Sequence, residues 1–413
     1  MFRTQFLQWL AVVFLLVAVL LAGIMSAAAA TADRFYVSRI IAWREADFRD
    51  FERFPSRAVP AGPKEFSFKA APEDPPEYLR TVTYRRDAPD PATPRESMAT
   101  TLGSAGGEKV TEPLEKFLED TGTTAFLVIR DDKLLYEEYF NGYDRESTQT
   151  SFSVAKSFVS ALVGIAIEEG YIGSVEDPIT KYVPELEGPE MDKITIRHLL
   201  TMSSGLRYSG EGGGGGPLGD DAKTYYDPNL RELALTVEPE VEPERHWEYN
   251  NYHPLLLGMV LERATDRPVA TYLSQKIWRP LGMEAEGSWS LDSEASGFEK
   301  MESGINGRAI DFAKFGRLYL NRGEWKGKEV VPQSWVEEST RVDTTTDPAD
   351  FYQYFWWVDV VEPDRGRFMA RGNLGQFIYV VPDKDLVIVR MGEDFGYNRW
   401  PELLRSIADK APS

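Results

Sequence analysis

"GQFIYVVPDKDLVIVRMG", residues 375–392, carries two apolar runs rich in β-branched residues on either side of Pro382-Asp383-Lys384-Asp385. Short apolar runs of this composition, parted by a proline and charged residues, read as the two strands of a hairpin. A similar pair stands far upstream: "TTAFLVIRDDKLLYEEYFNG", 123–142, gives strand-like runs Phe126 to Ile129 and Leu134 to Phe140 around the turn-prone Asp131-Asp132. Helical patterns fill the space between. "SVAKSFVSALVGIAIEE", 153–169, has apolar residues at helical spacing and Gly170 as a stop, and "INGRAIDFAKFGRLYLNRG", 305–323, predicts an amphipathic helix with its own glycine stop. A last helix is expected to start at Pro401. Strands first, helices in the middle and strands last predict an α+β fold: an antiparallel sheet whose first and last strands are neighbours, flanked by helices, with a helical lobe inserted between. That order argues against a doubly wound parallel sheet.

The rest of the chain is organised around that domain. Its 413 residues and 42% hydrophobic content suffice for one large catalytic-size domain with additions. From Pro55 to Pro94 nine prolines interrupt the chain and "GSAGG" follows at 103–107, so 33–110 reads as a proline-rich arm or linker without a core of its own. Residues 1–32 read as a signal anchor or signal peptide. The stretch Trp9 to Met25, "WLAVVFLLVAVLLAGIM", is uncharged and, with Phe6 and Leu7, approaches the ~20 residues that cross a bilayer as a helix. "SAAAATA", 26–32, offers small-residue cleavage sites, but the apolar run is longer than a usual cleaved core, which favours an uncleaved membrane anchor. Arg3 before the span leaves the N-terminus in the cytosol and the catalytic part exported, periplasmic or otherwise extracytoplasmic, or secreted if cleaved.

Composition removes several kinds of chemistry. A net charge of −20 repels phosphate backbones, so nucleic acid is excluded as a partner. The absence of cysteine removes disulfides, thiolate metal sites and cysteine nucleophiles. His198, His246 and His253 are the only histidines, and no pair has a metal-binding spacing on a helix, so neither a metal nor a cofactor is expected. Five glycines in "EGGGGGP", 211–217, must form a loop.

The chemistry that remains centres on "SFSVAKSF", 151–158. A serine hydroxyl needs a neighbouring base to become a nucleophile, and a lysine three residues on lies on the same helix face, one turn away. A helix start also offers free N–H groups and a partial positive charge to a developing oxyanion. Ser153-x-x-Lys156 is the one such match in the chain, although a serine N-cap followed by a solvated lysine accounts for the window equally well.

Its company sharpens the choice. In order come "TIRHLLTMSSGL" (195–206), Tyr249-x-Asn251 in "HWEYNNYHPLLLGMVLE" (246–262), "DFAKFGRLYLNRG" (311–323) and "GNLGQ" (372–376). With Ser-x-x-Lys in front, this series resembles the serine β-lactamase and penicillin-binding-protein superfamily over roughly 111–413. Within it, the chain is most similar to class C-like esterases, D-amino-acid peptidases and 6-aminohexanoate-dimer hydrolases. The resemblance implies the fold inferred above and a cleft between sheet and lobe. It implies Ser153 as acylated nucleophile, Lys156 as general base and Tyr249 as second proton carrier to the leaving group. Asn251 would orient the substrate carbonyl or Lys156, and the backbone N–H groups of Ser153 and Gln376 would form the oxyanion hole. The plain structural alternatives are a packed aromatic for Tyr249 and a helix N-cap for Asn251.

One motif departs from the pattern. Where relatives show Lys-Thr-Gly or His-x-Gly, this chain has Asn373-Leu374-Gly375, which keeps the glycine that lets substrate approach but loses the charged or imidazole side chain. That loss counts against penicillin or D-Ala-D-Ala as substrate. Arg371 substitutes only if the strand runs through both Arg371 and Asn373. His198 reads as structural. "FYQYFWWVDV", 351–360, reads either as a core strand or as one wall of an apolar acyl pocket. The expectation is therefore a membrane-anchored serine hydrolase acting on a small ester or amide. A penicillin-binding DD-peptidase or β-lactamase, and a non-catalytic binding protein that keeps the fold, are the alternatives.

Overall fold

A computed structural model describes residues 35–210, 216–343 and 349–412, together with positions 17 and 20–27. Its centre is a seven-stranded antiparallel sheet in the order Tyr352–Gln353, Trp356–Val358, Phe368–Gly372, Gln376–Val381, Leu386–Gly392, Thr123–Arg130, Lys133–Tyr139. The hairpins of the two chain ends meet in its middle: Val387 lies opposite Ile129 and Val389 opposite Leu127. Both strands are buried on both faces, which is why each reads as a continuous apolar run instead of an alternating one. The upstream hairpin turns through Asp131 and Asp132, both in the left-handed region with φ of 51° and 60°, as a two-residue turn between right-twisted strands requires.

Helices cover the two faces. On one, Ala309–Leu320 lies against the central strands, where a Cβ on Gly316 would come within 2.7 Å of Ile378 and Val387. On the other, Leu114–Asp120 and Trp400–Lys410 meet through Phe117 and Trp400, whose rings stand 5.6 Å apart. Helix Val154–Glu168 runs between the sheet and the lobe, touching strand Phe368–Gly372 and helix Tyr252–Thr265. It is buried from Val154 through Ala166, so its sequence is apolar on every side, and it stops at Gly170 with φ of 75°. The inserted lobe holds the helices Ile196–Leu200, Asp220–Tyr226, Leu230–Ala234, Tyr252–Thr265 and Val269–Leu273.

Three expectations need adjusting. Residues 305–323 do not form one helix: Ile305–Arg308 is a strand, and the helix begins at Ala309. The strand is drawn out because it lies between Thr148–Thr150 and Gly287–Ser290 in a second, four-stranded sheet, a pairing that local periodicity does not reveal. The proline-rich segment has no core of its own, but neither is it a free tether. Ser56–Val59 is the fourth strand of that second sheet, Thr81–Arg86 pairs with Glu108–Pro113, and Phe54, Val59, Phe68, Leu79, Val82 and Met98 are buried in the main body. Prolines fit its extended course, while its scattered apolar residues are drawn into the shared core. The expected anchor at 1–32 lies almost wholly outside the described residues. Among the described residues no helix is long and apolar enough to cross a membrane.

Candidate active site

The strand Thr148–Thr150 delivers the chain to a tight turn at the N-terminus of helix Val154–Glu168. Ser151 N–H donates to the Ile305 carbonyl at 2.8 Å, which ties the turn to the second sheet. Phe152 then adopts φ of 47° although it is a buried aromatic residue, a conformation that costs about 1–2 kcal/mol and is sustained by its surroundings. Ser153 follows as the helix N-cap. The next three N–H groups, on Val154, Ala155 and Lys156, bond back to the carbonyls of Ser151, Phe152 and Ser153 at 3.3, 2.9 and 3.1 Å. The N–H groups of Phe152 and Ser153 have no acceptor among the described residues, and that of Ser153 is the one at the helix start.

Burial separates the three serines of the window. Ser151 and Ser157 are buried, the latter donating to the Phe355 carbonyl at 2.8 Å, whereas Ser153 is partly accessible. Lys156 is buried, with Nζ 2.8 Å from Ser153 Oγ and 3.0 Å from the Glu302 carbonyl oxygen. The carbonyl can only accept, so it fixes one Nζ proton and orients the rest of the amine toward Ser153. The same Nζ lies 4.8 Å from the centroid of the Tyr249 ring, and that ring stacks on Trp357 at 5.9 Å. Ser153, Lys156 and Tyr249 are thus gathered at one place. Trp357 of "FYQYFWWVDV" is a strand residue and its ring backs Tyr249, which agrees with the strand reading of that stretch.

Asn251 turns elsewhere. Its Nδ2 donates to the Tyr208 hydroxyl at 3.0 Å and to Asp221 Oδ1 at 3.2 Å, and its buried Oδ1 has no partner among the described residues. It joins no hydrogen bond with Lys156; the carbonyl of Glu302 holds the lysine instead.

The third motif is also rearranged. Strand Phe368–Gly372 ends before Asn373, which is exposed, and Leu374 and Gly375 turn back with φ of 57° and 79°. A Cβ on Gly375 would collide with the Arg390 guanidinium. Arg390 donates to the carbonyls of Leu374 and Gly375 at 3.1 and 2.7 Å, and the buried Gln376 amide bonds to Asn373 O and Gly392 O, so both residues brace the turn. The glycine that faces the Ser151–Ser153 turn is Gly372, where a Cβ would run into the Ser151 carbonyl and come within 3.2 Å of Phe152 Cβ. Arg371, one residue before, is carried by the strand while Asn373 is not. Its guanidinium sits 4.5 Å from the Trp357 ring and donates to Ser97 Oγ at 3.2 Å; burial pushes its pKa down to about 10.

The histidines serve the scaffold. His198 completes a capping box with Thr195 and faces Glu244 at 3.4 Å, and burial holds its pKa low. His253 is buried between Ser204 Oγ at 2.6 Å and Met202 Sδ at 3.2 Å. Burial pushes its pKa down to about 3. Exposed His246 lies 3.9 Å from Glu248. Among the described residues no three acidic or histidine side chains are grouped to hold a metal ion.

Comparison with known proteins places this geometry. The family model described as Beta-lactamase matches residues 110–411. A 6-aminohexanoate-dimer hydrolase from Paenarthrobacter ureafaciens is 30% identical over 358 residues, covering 79% of this chain and 84% of the relative. Esterase EstB from Burkholderia gladioli is 31% identical over 188 residues, 41% of this chain and 47% of its own length. Among solved structures, a candidate 6-aminohexanoate-dimer hydrolase from Bacillus anthracis superposes with a TM-score of 0.74 at 26% identity, covering 90% of this chain and 96% of that one.

Two outcomes test the site as built. Replacing Gly372 by alanine is expected to lower kcat/KM by about 10²–10³-fold through displacement of the Ser151–Ser153 turn, measured beside a Gly375→Ala control that acts through Arg390. Lowering the pH is expected to destabilise the fold through His253: the native imidazole stays neutral while the unfolded one, with a pKa near ~6.5, gains a proton. Stability is thus lost as pH falls from about 6.5 towards 3, by about 1 kcal/mol between pH 7 and 5.5, and His253→Asn is expected to remove that increment in denaturant melts.

Proposed function

The chain belongs to the Beta-lactamase family and is a serine hydrolase related to the β-lactamases, and from that premise we propose that it cleaves an ester or a linear amide through an acyl-enzyme on Ser153. The observation that carries the proposal is the 2.8 Å contact of a buried Lys156 Nζ with the one partly accessible serine of its window.

In this mechanism the amine form of Lys156 takes the Ser153 proton as Oγ bonds to the substrate carbonyl carbon. The carbonyl oxygen becomes an oxyanion on the free N–H of Ser153, joined by an N–H of the Asn373–Gln376 turn that Gly372 allows to approach. When the intermediate collapses, the bond to the leaving alcohol or amine breaks, and the proton held by Lys156 reaches the leaving atom by way of the Tyr249 hydroxyl. Water then attacks the acyl-enzyme, with the same groups returning the proton to Ser153. The rings of Trp247, Tyr249 and Trp357 pack on one another next to Lys156, and this apolar cluster supports a substrate with a hydrocarbon chain. The names of the Paenarthrobacter and Burkholderia relatives support linear amides and esters as the substrate classes to try first.

A penicillin-binding or DD-peptidase activity is the second reading, and the exposed, uncharged Asn373 disfavours it. The apolar run at 9–25 supports a membrane anchor with the catalytic domain outside the cytoplasm.

A fluorophosphonate probe is expected to label Ser153 in the folded protein, as read by peptide mass mapping, and Ser153→Ala to lower hydrolysis of p-nitrophenyl esters by about 10⁴-fold or more. An unlabelled Ser153, or a variant as active as the parent, overturns the proposal; capture of labelled penicillin transfers it to the second reading.

A further inference from the structure

We propose that residues 47–54 of the N-terminal segment are a working part of the active site, with Asp50 the positioning residue that keeps Ser153 and Lys156 aligned. The inference rests on those two being the reacting pair. It concerns a stretch outside the residues matched by the family model, which begin at 110.

Three connections run from this stretch to the nucleophile. At its start, the Phe48 carbonyl accepts the Thr150 N–H at 3.1 Å, fixing the last strand residue before the turn. In its middle, the buried Asp50 carboxylate accepts the Tyr225 hydroxyl, and it is held in place by Arg53 Nη1 at 2.8 Å and the Asp47 N–H at 2.9 Å. The Tyr225 ring in turn stacks on Phe152 at 6.3 Å and 23°, covering the residue whose left-handed backbone sets the direction of Ser153. At its end, the Phe54 ring packs beside Tyr225 at 5.8 Å and under the Lys300 ammonium at 4.5 Å.

Lys300 closes the circuit. It is buried, lies 4.2 Å from the Tyr225 ring, donates to the Tyr225 carbonyl and pairs with Glu302 Oε1 at 2.9 Å. Glu302 is the residue whose backbone carbonyl holds Lys156. One ring, Tyr225, therefore touches both the strained residue before the nucleophile and the cation that anchors the lysine's acceptor, and Asp50 is what fixes that ring. Burial raises the Asp50 pKa, while Tyr225 and Arg53 oppose the rise. The carboxylate is thus kept in an apolar setting by the partners it orients.

A misplacement of about 1 Å between reacting groups costs on the order of 10²-fold in rate, whereas substrate binding away from the turn is little affected. Loosening this brace is therefore expected to fall on kcat. In the full-length protein, Asp50→Asn is expected to lower kcat per fluorophosphonate-titrated site about 10-fold, with KM within about twofold of the parent. Asp50→Glu is expected to recover most of the loss. Tyr225→Phe, which keeps the ring and removes the hydroxyl, is expected to match Asp50→Asn and reads the same contact if that variant does not fold. Titrated sites that turn over at the parental rate in both variants, whatever their melting temperatures, overturn the inference. A parent protein not labelled at Ser153 overturns the assignment of the reacting pair, a separate result.

Discussion

A lysine amine buried between a serine hydroxyl and a backbone carbonyl is the contact on which the site depends. Leaving an amine in the interior without hydrogen-bond partners costs several kcal/mol, so Lys156 is stable there only while Ser153 Oγ and the Glu302 carbonyl stay in reach. Those two partners belong to different parts of the molecule. Ser153 stands at a helix N-terminus next to the second sheet, and Glu302 lies in the loop that leads to the strand Ile305–Arg308. The strand pairing of Thr148–Thr150 with Ile305–Arg308 keeps them side by side, and so links the second sheet directly to the chemistry.

The same logic recurs wherever the interior holds a charge. Lys300 pairs with Glu302, Lys314 with Asp311 and Arg405 with Asp359, each at 3.2 Å or less and each with both members buried. Among the described residues Arg390 meets no carboxylate; four backbone carbonyls and the Trp400 ring at 4.0 Å surround it instead. Such pairs add little net stability compared with apolar packing, but each specifies an arrangement strictly, because breaking it strands a charge. It is consistent with this that they lie near the third-motif turn, the lysine's acceptor and the ends of the covering helices.

Much of the scaffold was legible because it depends on local pattern. The two hairpins, the largely apolar buried helix after Ser153 and the stops at Gly170 and Gly323 follow from composition and period. The preference for Ser153 over Ser151 and Ser157 came only from the surrounding motifs, and burial separates the three in the same direction, since Ser153 alone among them is partly accessible. The functions of Asn251, Gly375 and Gln376 were less accessible. Asn251 bonds to Asp221 and Tyr208, the Gly375 carbonyl accepts from Arg390, and the Gln376 side chain braces the turn through the Asn373 and Gly392 carbonyls, contacts that no local motif encodes. Glu302 and Asp50 carried no signal at all, since one acts through its carbonyl and the other through a tyrosine 175 positions away.

By itself the sequence determined the kind of fold, the family resemblance and the absence of cysteine chemistry, and it brought forward Ser153, Lys156 and Tyr249 as candidates, because these rest on residue type and short-range spacing. Only the tertiary structure decided which glycine faces the Ser151–Ser153 turn, what holds Lys156, and that the proline-rich segment is built into the body. Those are contacts between stretches far apart in the chain, where burial and hydrogen-bond satisfaction choose the partners and no local pattern encodes them.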